Sequence, residues 1–86
     1  MSTFFLSDLP KGQTARIDHI APCAEFGEMD AEVTRRLADL GFSNGASVTV
    51  VSNGLRGHGP FAVRLGQTAQ FALRKPEAQK ILCRAA

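Results

Sequence analysis

The sequence predicts a small, mainly β protein, an antiparallel barrel of about five short strands with one inserted helix. Its 86 residues allow one domain with a modest core, so we expect 1–86 to fold as a single unit. Several short segments place apolar residues at every second position, which is typical of half-buried strands. Only the stretch between Met29 and Leu40 spaces its apolar residues as a helix does.

The first strand is predicted over residues 13–21, where Ala15 and Ile17 share one face. Ile20 interrupts the alternation, which suggests a bulge or bend at that position. Residues 22–28 are predicted to form a loop that leads into the helix. Phe4 and Phe5, in the leader before the first strand, are expected to close one end of the barrel.

The helix is predicted to end at a glycine and to turn directly into the second strand. We expect Asp30 to be its N-cap, because the carboxylate can accept hydrogen bonds from the first-turn amides. Gly41 supplies a left-handed residue, and Phe42 then reaches back to Leu37 in a Schellman ending. The residues predicted to form its apolar face are Met29, Val33, Leu37 and Leu40.

The remaining strands show a period of two. Gly66-Gln67 suits a two-residue type II′ turn between the third and fourth strands. Residues 75–80 read as a helical turn with Pro76 at its first position, followed by a last strand over 81–84. The predicted inward residues are Val48 and Val50 in the second strand, Phe61, Val63 and Leu65 in the third, and Ala69, Phe71 and Leu73 in the fourth.

The order of the motifs carries a family resemblance. Several motifs follow one another in a fixed order: a basic pair that leads into a leucine helix (Arg35-Arg36-Leu37), Leu-Gly (Leu40-Gly41), a glycine turn (Gly45) and Val-x-Val (Val48-Thr49-Val50). Segments 6–17, 59–65 and 72–74 add a first strand with a leading Leu-x-x-Leu and a central hairpin. Over residues 6–84 the chain therefore resembles the FeoA family of small ferrous iron transport accessory proteins. The resemblance implies an SH3-like barrel.

Composition narrows the class of protein. With 44% hydrophobic and 21% charged residues the chain is ordinary globular material. No apolar run approaches the roughly 20 residues of a membrane-spanning helix, and Met1 to Leu9 lacks the features of a signal peptide. Cys23 and Cys83 have neither metal-knuckle nor redox spacing, so no structural disulfide is expected. We expect a cytoplasmic protein.

Charge is distributed unevenly along the chain. Acidic residues outnumber basic ones up to Ser43, whereas only Glu77 is acidic beyond it. This pattern indicates either scattered solvated charge or a basic patch that meets an acidic partner. The basic residues of the second half are Arg56, Arg64, Arg74, Lys75, Lys80 and Arg84.

Catalysis and nucleic-acid recognition are weakly indicated. No serine or cysteine lies in a recognisable nucleophile turn, so no catalytic residue is predicted and the protein is not expected to be an enzyme. The chain has no Trp and no Tyr, so stacking on nucleic-acid bases is disfavoured. A regulator that binds nucleic acid electrostatically stays an alternative through Arg64, Arg74, Lys75 and Arg84.

One short cluster offers nitrogen, sulfur and oxygen ligands for a metal ion. His19 and Cys23 are four residues apart, and Glu25 follows closely. We expect at most weak Fe(II) or Zn(II) binding there and no required cofactor, since structural metal sites usually show paired ligands. A metal-binding sensor or chaperone is therefore a second alternative.

The family resemblance implies a partner, the cytoplasmic GTPase region of the membrane permease FeoB. It implies no small-molecule substrate, and contact with the membrane only through that partner. The exposed flank of the helix and the glycine-rich loop at 53–60 are the predicted contact surfaces. As alternatives, Arg35 and Arg36 only solvate the helix or pair with Glu32 and Asp39, and the loop is a mobile hairpin tip with an exposed Leu55. The predicted contact residues are Arg35, Arg36, Asp39, Leu55, Arg56 and His58.

Overall fold

The computed structural model describes residues 2–86 and shows a six-stranded antiparallel sheet with the strand order β1-β6-β2-β3-β4-β5. This confirms the mainly β, SH3-like fold, as a partly open barrel with one strand more than predicted, since Phe4 and Phe5 pair with the last strand. The strands are β1 (Phe4–Phe5), β2 (Thr14–Ile20), β3 (Ser47–Ser52), β4 (Phe61–Leu65), β5 (Ala69–Leu73) and β6 (Ile81–Ala85).

Two helices join the strands. The inserted helix α1 (Asp30–Leu40) follows β2, and the single turn α2 (Lys75–Ala78) lies between β5 and β6. The predicted loop before α1 contains 3-10 turns over Ala24–Met29, and Pro76 is the second residue of α2 rather than the first. Neither helix in the described residues has the length and apolar character needed to cross a membrane.

The C-terminal end of α1 has the predicted geometry. Gly41 adopts φ 111°, its amide donates to Ala38 O at 3.0 Å, and the amide of Phe42 donates to Leu37 O at 3.1 Å. These two hydrogen bonds form a Schellman ending. Phe42 and Leu37 are both completely buried in the core, so the end of the helix also anchors it to the sheet.

The turn between α1 and β3 is held against a bulge in β2. The register with β6 shifts between Ile17 and His19, so the extra residue is Asp18 and the bulge predicted at Ile20 is displaced by two residues. Asn44 Nδ2 donates to Asp18 O at 2.9 Å, and the amide of Gly45 donates to Ile17 O at 2.8 Å. The bulge therefore turns backbone carbonyls toward the loop that positions α1.

The core contains most of the predicted inward residues, with four exceptions at its margins. Met29 and Leu40 are 54% and 42% exposed, because only Val33 and Leu37, in the middle turns of α1, are buried. Ala69 is exposed and Phe71 is half-buried, since β5 is an edge strand. The buried strand residues are Ala15, Ile17, Val48, Val50, Phe61, Val63, Leu65, Leu73, Ile81 and Cys83.

The N-cap prediction is wrong because a lysine distant in sequence captures the carboxylate. Asp30 is the first residue of α1, and its Oδ1 accepts from Lys80 Nζ at 2.5 Å and from the amide of Cys23 at 3.0 Å. Lys80 is completely buried, its Nζ also donates to Ala21 O at 3.0 Å, and it lies 5.9 Å over the Phe26 ring. This ion pair joins the start of α1 to the segment before β6.

The hairpin between β4 and β5 has a longer turn than predicted. Leu65 pairs with Ala69, so residues 66–68 form a three-residue connection instead of the two-residue turn at Gly66-Gln67. Gly66 still adopts a positive φ of 60°, the feature that favoured glycine at this position.

Candidate functional site

Two open grooves lie beside α1. The first has a volume of about 370 Å³ and brings together three of the predicted contact residues, Arg35, Arg36 and Asp39, with the exposed Met29. Helical periodicity places these side chains on the flank that does not face the sheet. The complete lining is Met29, Glu32, Val33, Arg35, Arg36 and Asp39.

The second groove lies between α1 and α2 and has a volume of about 380 Å³. Arg36 lines both grooves and is the residue that their linings share. Phe26 and Pro76 give the second groove apolar walls, whereas Arg74 and Glu77 give it charge. Sequence reasoning did not identify this groove, because it depends on the packing of α2 beside the helix.

The guanidinium of Arg36 connects the two helices. Its Nη2 donates to Glu77 Oε2 at 3.2 Å, and Glu77 Oε1 accepts from the amide of Arg74 at 2.8 Å. Arg36 therefore pairs across the groove, and the alternative of pairing with Glu32 or Asp39 on its own helix is wrong for this residue. The Arg36 side chain remains 65% exposed, so it is accessible to a partner.

The glycine-rich loop presents Leu55 to solvent, as predicted. This side chain is 80% exposed, and it opens a 3-10 turn over Leu55–Gly57 in which Arg56 adopts a positive φ of 56°. The loop closes beside α2, since a Cβ on Gly59 would lie 3.6 Å from Lys75 N. The loop that contains Leu55, Arg56 and His58 therefore lies next to α2, and residues of α2 also line the second groove.

The base of this loop requires glycine at one position. Gly54 adopts φ 72° and ψ −162°, a region that is essentially restricted to glycine, and a Cβ there would lie 2.4 Å from Gly59 C and O. We expect Gly54→Ala to break the Gly54–Gly59 bridge and to raise amide exchange throughout Leu55–Gly57. Hydrogen exchange followed by NMR measures this.

Gly57→Ala is the matched control for that substitution. Gly57 has a similar φ of 74°, but a Cβ there would have no atom within 4 Å. Gly57→Ala should lower the free energy of unfolding by about 1 kcal/mol, because of the left-handed backbone alone, and should leave the Gly54–Gly59 bridge closed. Equal exchange in the two variants would show that the close approach of Gly54 to Gly59 does not hold the loop.

The candidate metal ligands are not assembled into a group. Residues 2–86 contain no cluster of three or more His, Cys, Asp or Glu side chains that could hold a metal ion. His19 Nδ1 lies 2.7 Å from Asp18 Oδ2, while Asp18 Oδ1 accepts from Arg84 Nη1 at 3.1 Å. The hydrogen bond from His19, and then that from Arg84, lower the pKa of Asp18. Metal binding by His19, Cys23 and Glu25 stays a prediction.

Burial lowers the reactivity expected of the Cys83 thiol. The side chain lies in the core on β6, and burial, with the nearby Asp18 carboxylate, raises the pKa of Cys83 to about 11. The thiolate is the reactive form of cysteine, so this thiol is a poor nucleophile at neutral pH.

Three ion pairs connect the acidic and basic halves of the sequence: Asp30–Lys80, Asp18–Arg84 and Glu77–Arg36. Arg84, which belonged to the candidate nucleic-acid surface, is therefore engaged internally. The basic residues of the second half that have no ion pair within the described part of the chain are Arg56, Arg64, Arg74 and Lys75.

A bent antiparallel sheet with one helix inserted after its first long strand, and open grooves beside that helix, defines the chain as a small SH3-like domain. A family model, the FeoA domain, matches residues 5–85. The chain belongs to the FeoA family, which confirms the resemblance inferred from its motifs.

Solved structures agree with this assignment. The chain is 34% identical to Stenotrophomonas maltophilia FeoA complexed with zinc, described as a procaryotic SH3 domain protein; the match covers 94% of this chain and 89% of that one, with a TM-score of 0.78. Chlorobium tepidum FeoA is 28% identical over 96% of this chain and 71% of that one, with a TM-score of 0.75. No curated protein matches the chain.

The fold also occurs as part of larger proteins. A manganese-dependent transcriptional repressor in complex with manganese matches all of this chain and 38% of its own, at 21% identity and a TM-score of 0.80. At this identity the likeness shows the fold alone, because the same small barrel supports unrelated functions.

Proposed function

We propose that this protein is a non-enzymatic accessory factor of ferrous iron uptake that binds the cytoplasmic GTPase region of a FeoB-type permease and modulates it. Membership of the FeoA family supports a role in ferrous iron transport. The related Stenotrophomonas maltophilia protein is itself described as a candidate ferrous iron transport activating factor. In this proposal the domain acts at the cytoplasmic side, through surface contact.

The position of Arg36 is the observation that carries the proposed contact. Its guanidinium lines both grooves, stays 65% exposed and is held in place by Glu77. Arginine beside apolar groups is typical of residues that dominate protein interfaces, and Met29, Phe26 and Pro76 supply such groups here. The two grooves support a protein partner that presents a carboxylate to Arg36.

Open grooves fit a contact role better than catalysis. Both are open to solvent beside a helix, whereas sites for small substrates usually bury most of the ligand. The Cys83 thiol, whose pKa is raised by burial to about 11, lies in the core outside both linings. The proposal therefore assigns no catalytic residue.

Charge reversal of Arg36 tests the proposed contact. Arg36→Glu should weaken binding of the purified chain to the permease's cytoplasmic region at least tenfold, because it removes a groove cation and places a second carboxylate beside Glu77. Biolayer interferometry with the immobilised GTPase region measures this. Lys11→Glu, a reversal at an exposed residue outside both grooves, should bind as the unsubstituted chain does.

Arg36→Gln separates loss of the cation from added repulsion, and should weaken binding less than the reversal. Thermal unfolding of each variant checks that the fold survives. Equal binding by Arg36→Glu and Lys11→Glu would exclude the grooves as the contact surface. No binding by the unsubstituted chain, with or without nucleotide on the GTPase region, would overturn the proposed partner.

A further inference from the structure

β5 is an open edge of the sheet. It is paired only with β4, and in residues 2–86 no backbone hydrogen bond reaches it from any other element. Its five residues contain neither a charge nor a proline, and its register with β4 runs without a shift. The backbone groups on the outer side of β5 are therefore free to pair with another strand.

Such an edge is unusual in a natural protein. Edge strands are normally protected by charged residues, proline, a bulge, short length or a covering element. The opposite edge of this sheet, β1, is only two residues long. β5 lacks each of these protections, which is the condition under which an extended segment adds to a sheet.

Two basic side chains flank β5, and the nearby Glu77 carboxylate is already engaged by Arg36 and by the Arg74 amide. Arg64 lies directly across from Gln70, and Arg74 continues the outward-facing positions of Gln70 and Ala72. Neither arginine has an ion pair within the described residues, and Glu77, the only acidic residue after Ser43, already accepts from Arg36. An acidic partner fits these two cations.

The inner side of the edge is apolar and incompletely covered. Phe71 is half-buried, with its ring centroid 5.6 Å from that of Phe42, and Ala69 is exposed. In an added strand, the side chains that point to the inner face would cover Phe71, whereas the alternate side chains would share the outer face with Arg64 and Arg74. Arg64 is on β4, roughly 10 Å from the added backbone, and would reach it across Gln70 through its long side chain. The edge thus fits a strand that alternates apolar and acidic residues.

We propose that β5 binds an extended segment of a partner protein, with alternating acidic and apolar side chains, as a further strand of the sheet. A second copy of this chain is a poorer occupant, because it would bring the same arginines to the contact. Nucleic acid is poorer too, since the distinctive feature of the surface is a row of main-chain donors and acceptors. The inference is independent of the proposed role in iron transport.

A synthetic peptide tests the inference on the complete chain. The probe is acetyl-Thr-Glu-Val-Glu-Val-Glu-Thr-amide, titrated into isotopically labelled protein and followed by NMR. We expect the peptide to shift and protect the amides of Ala69–Leu73, and its counterpart with lysine in place of glutamate to leave them unchanged. Two further peptides carry N-methyl groups on alternate residues in the two possible phases; the phase that blocks the ladder hydrogen bonds should not bind.

Substitutions in the protein test the charge assignment. The double variant Arg64→Gln and Arg74→Gln should bind the acidic peptide roughly fivefold more weakly, because it removes one half-buried and one exposed cation from the outer face. Lys11→Gln, at an exposed basic residue outside both grooves, is the control and should bind normally. Unchanged binding by the double variant would contradict the assignment of acidic side chains.

Three results would overturn the inference. The first is binding of both N-methylated peptides. The second is a set of amide chemical-shift changes centred outside β5. The third is protection of the β5 amides that rises with protein concentration in the absence of peptide. The last would show that a second copy occupies the edge. None of these three results bears on the permease contact, which is measured with a different ligand. Because Arg74 also lines the second groove, Arg64→Gln alone is the variant that changes the β5 surface and leaves both groove linings intact.

Discussion

Replacing Phe42 with alanine should cost about 3–5 kcal/mol of unfolding free energy, the loss typical of a fully buried aromatic side chain. Phe42 is completely buried, contacts the Phe71 ring and completes the Schellman ending of α1. The substitution therefore creates a cavity at the point where the helix is anchored to the sheet. Urea unfolding at neutral pH measures the change.

Phe5→Ala is the control for that loss, because Phe5 is 40% exposed on β1. Phe5→Ala should lower the free energy of unfolding by less than half as much as Phe42→Ala does. Phe42→Leu, which keeps most of the apolar volume, provides a milder variant in case the alanine variant does not fold. If Phe42→Leu and Phe5→Ala were both neutral, Phe42 would not anchor α1 as the structure indicates.

Replacing Lys80 with methionine should lower the free energy of unfolding by about 1–3 kcal/mol, because the partly exposed carboxylate of Asp30 loses its buried partner and keeps only the hydrogen bond from the Cys23 amide. Removing one member of a buried ion pair costs more than removing both. The double variant Lys80→Met and Asp30→Asn should therefore recover part of the loss. Lys11→Met, at an exposed lysine, is the control and should be close to neutral.

The pH dependence of that loss identifies its cause. The hydrogen bond from Lys80, followed by that from the Cys23 amide, lowers the pKa of Asp30. The stability gained from the pair is thus fully present above the unfolded pKa of about 3.9, and is lost as pH falls through the lower folded value. The difference between Lys80→Met and the unsubstituted chain should shrink below pH ~4. A difference that did not change with pH would assign the loss to packing.

Features fixed by neighbouring residues could be predicted from the sequence. The end of α1 depends on Leu37, Gly41 and Phe42, which lie within one helical turn of each other, and the prediction is confirmed. The inward residues of β3 and β4 follow from strict alternation in strands buried on one face. In the same way, helical spacing placed Arg35, Arg36 and Asp39 beside one groove.

Features fixed by distant contacts could not be predicted. Asp30 has the sequence signature of an N-cap, but its carboxylate is captured by Lys80, which lies 50 residues further along the chain. Arg36 has acidic neighbours on its own helix and nevertheless pairs with Glu77, 41 residues away. Which strand forms the open edge depends on the order of the sheet, so the incomplete burial of Phe71 was also beyond local reasoning.

The most direct test of the proposed role is the rate of ferrous iron uptake in cells that lack this chain but contain its permease. Complementation with the unsubstituted chain should restore uptake of radioactive Fe(II), Lys11→Glu should restore it equally, and Arg36→Glu should not, although it is expressed and folded. Full restoration by Arg36→Glu, or uptake that never depends on the chain, would contradict a contact role for the grooves beside α1.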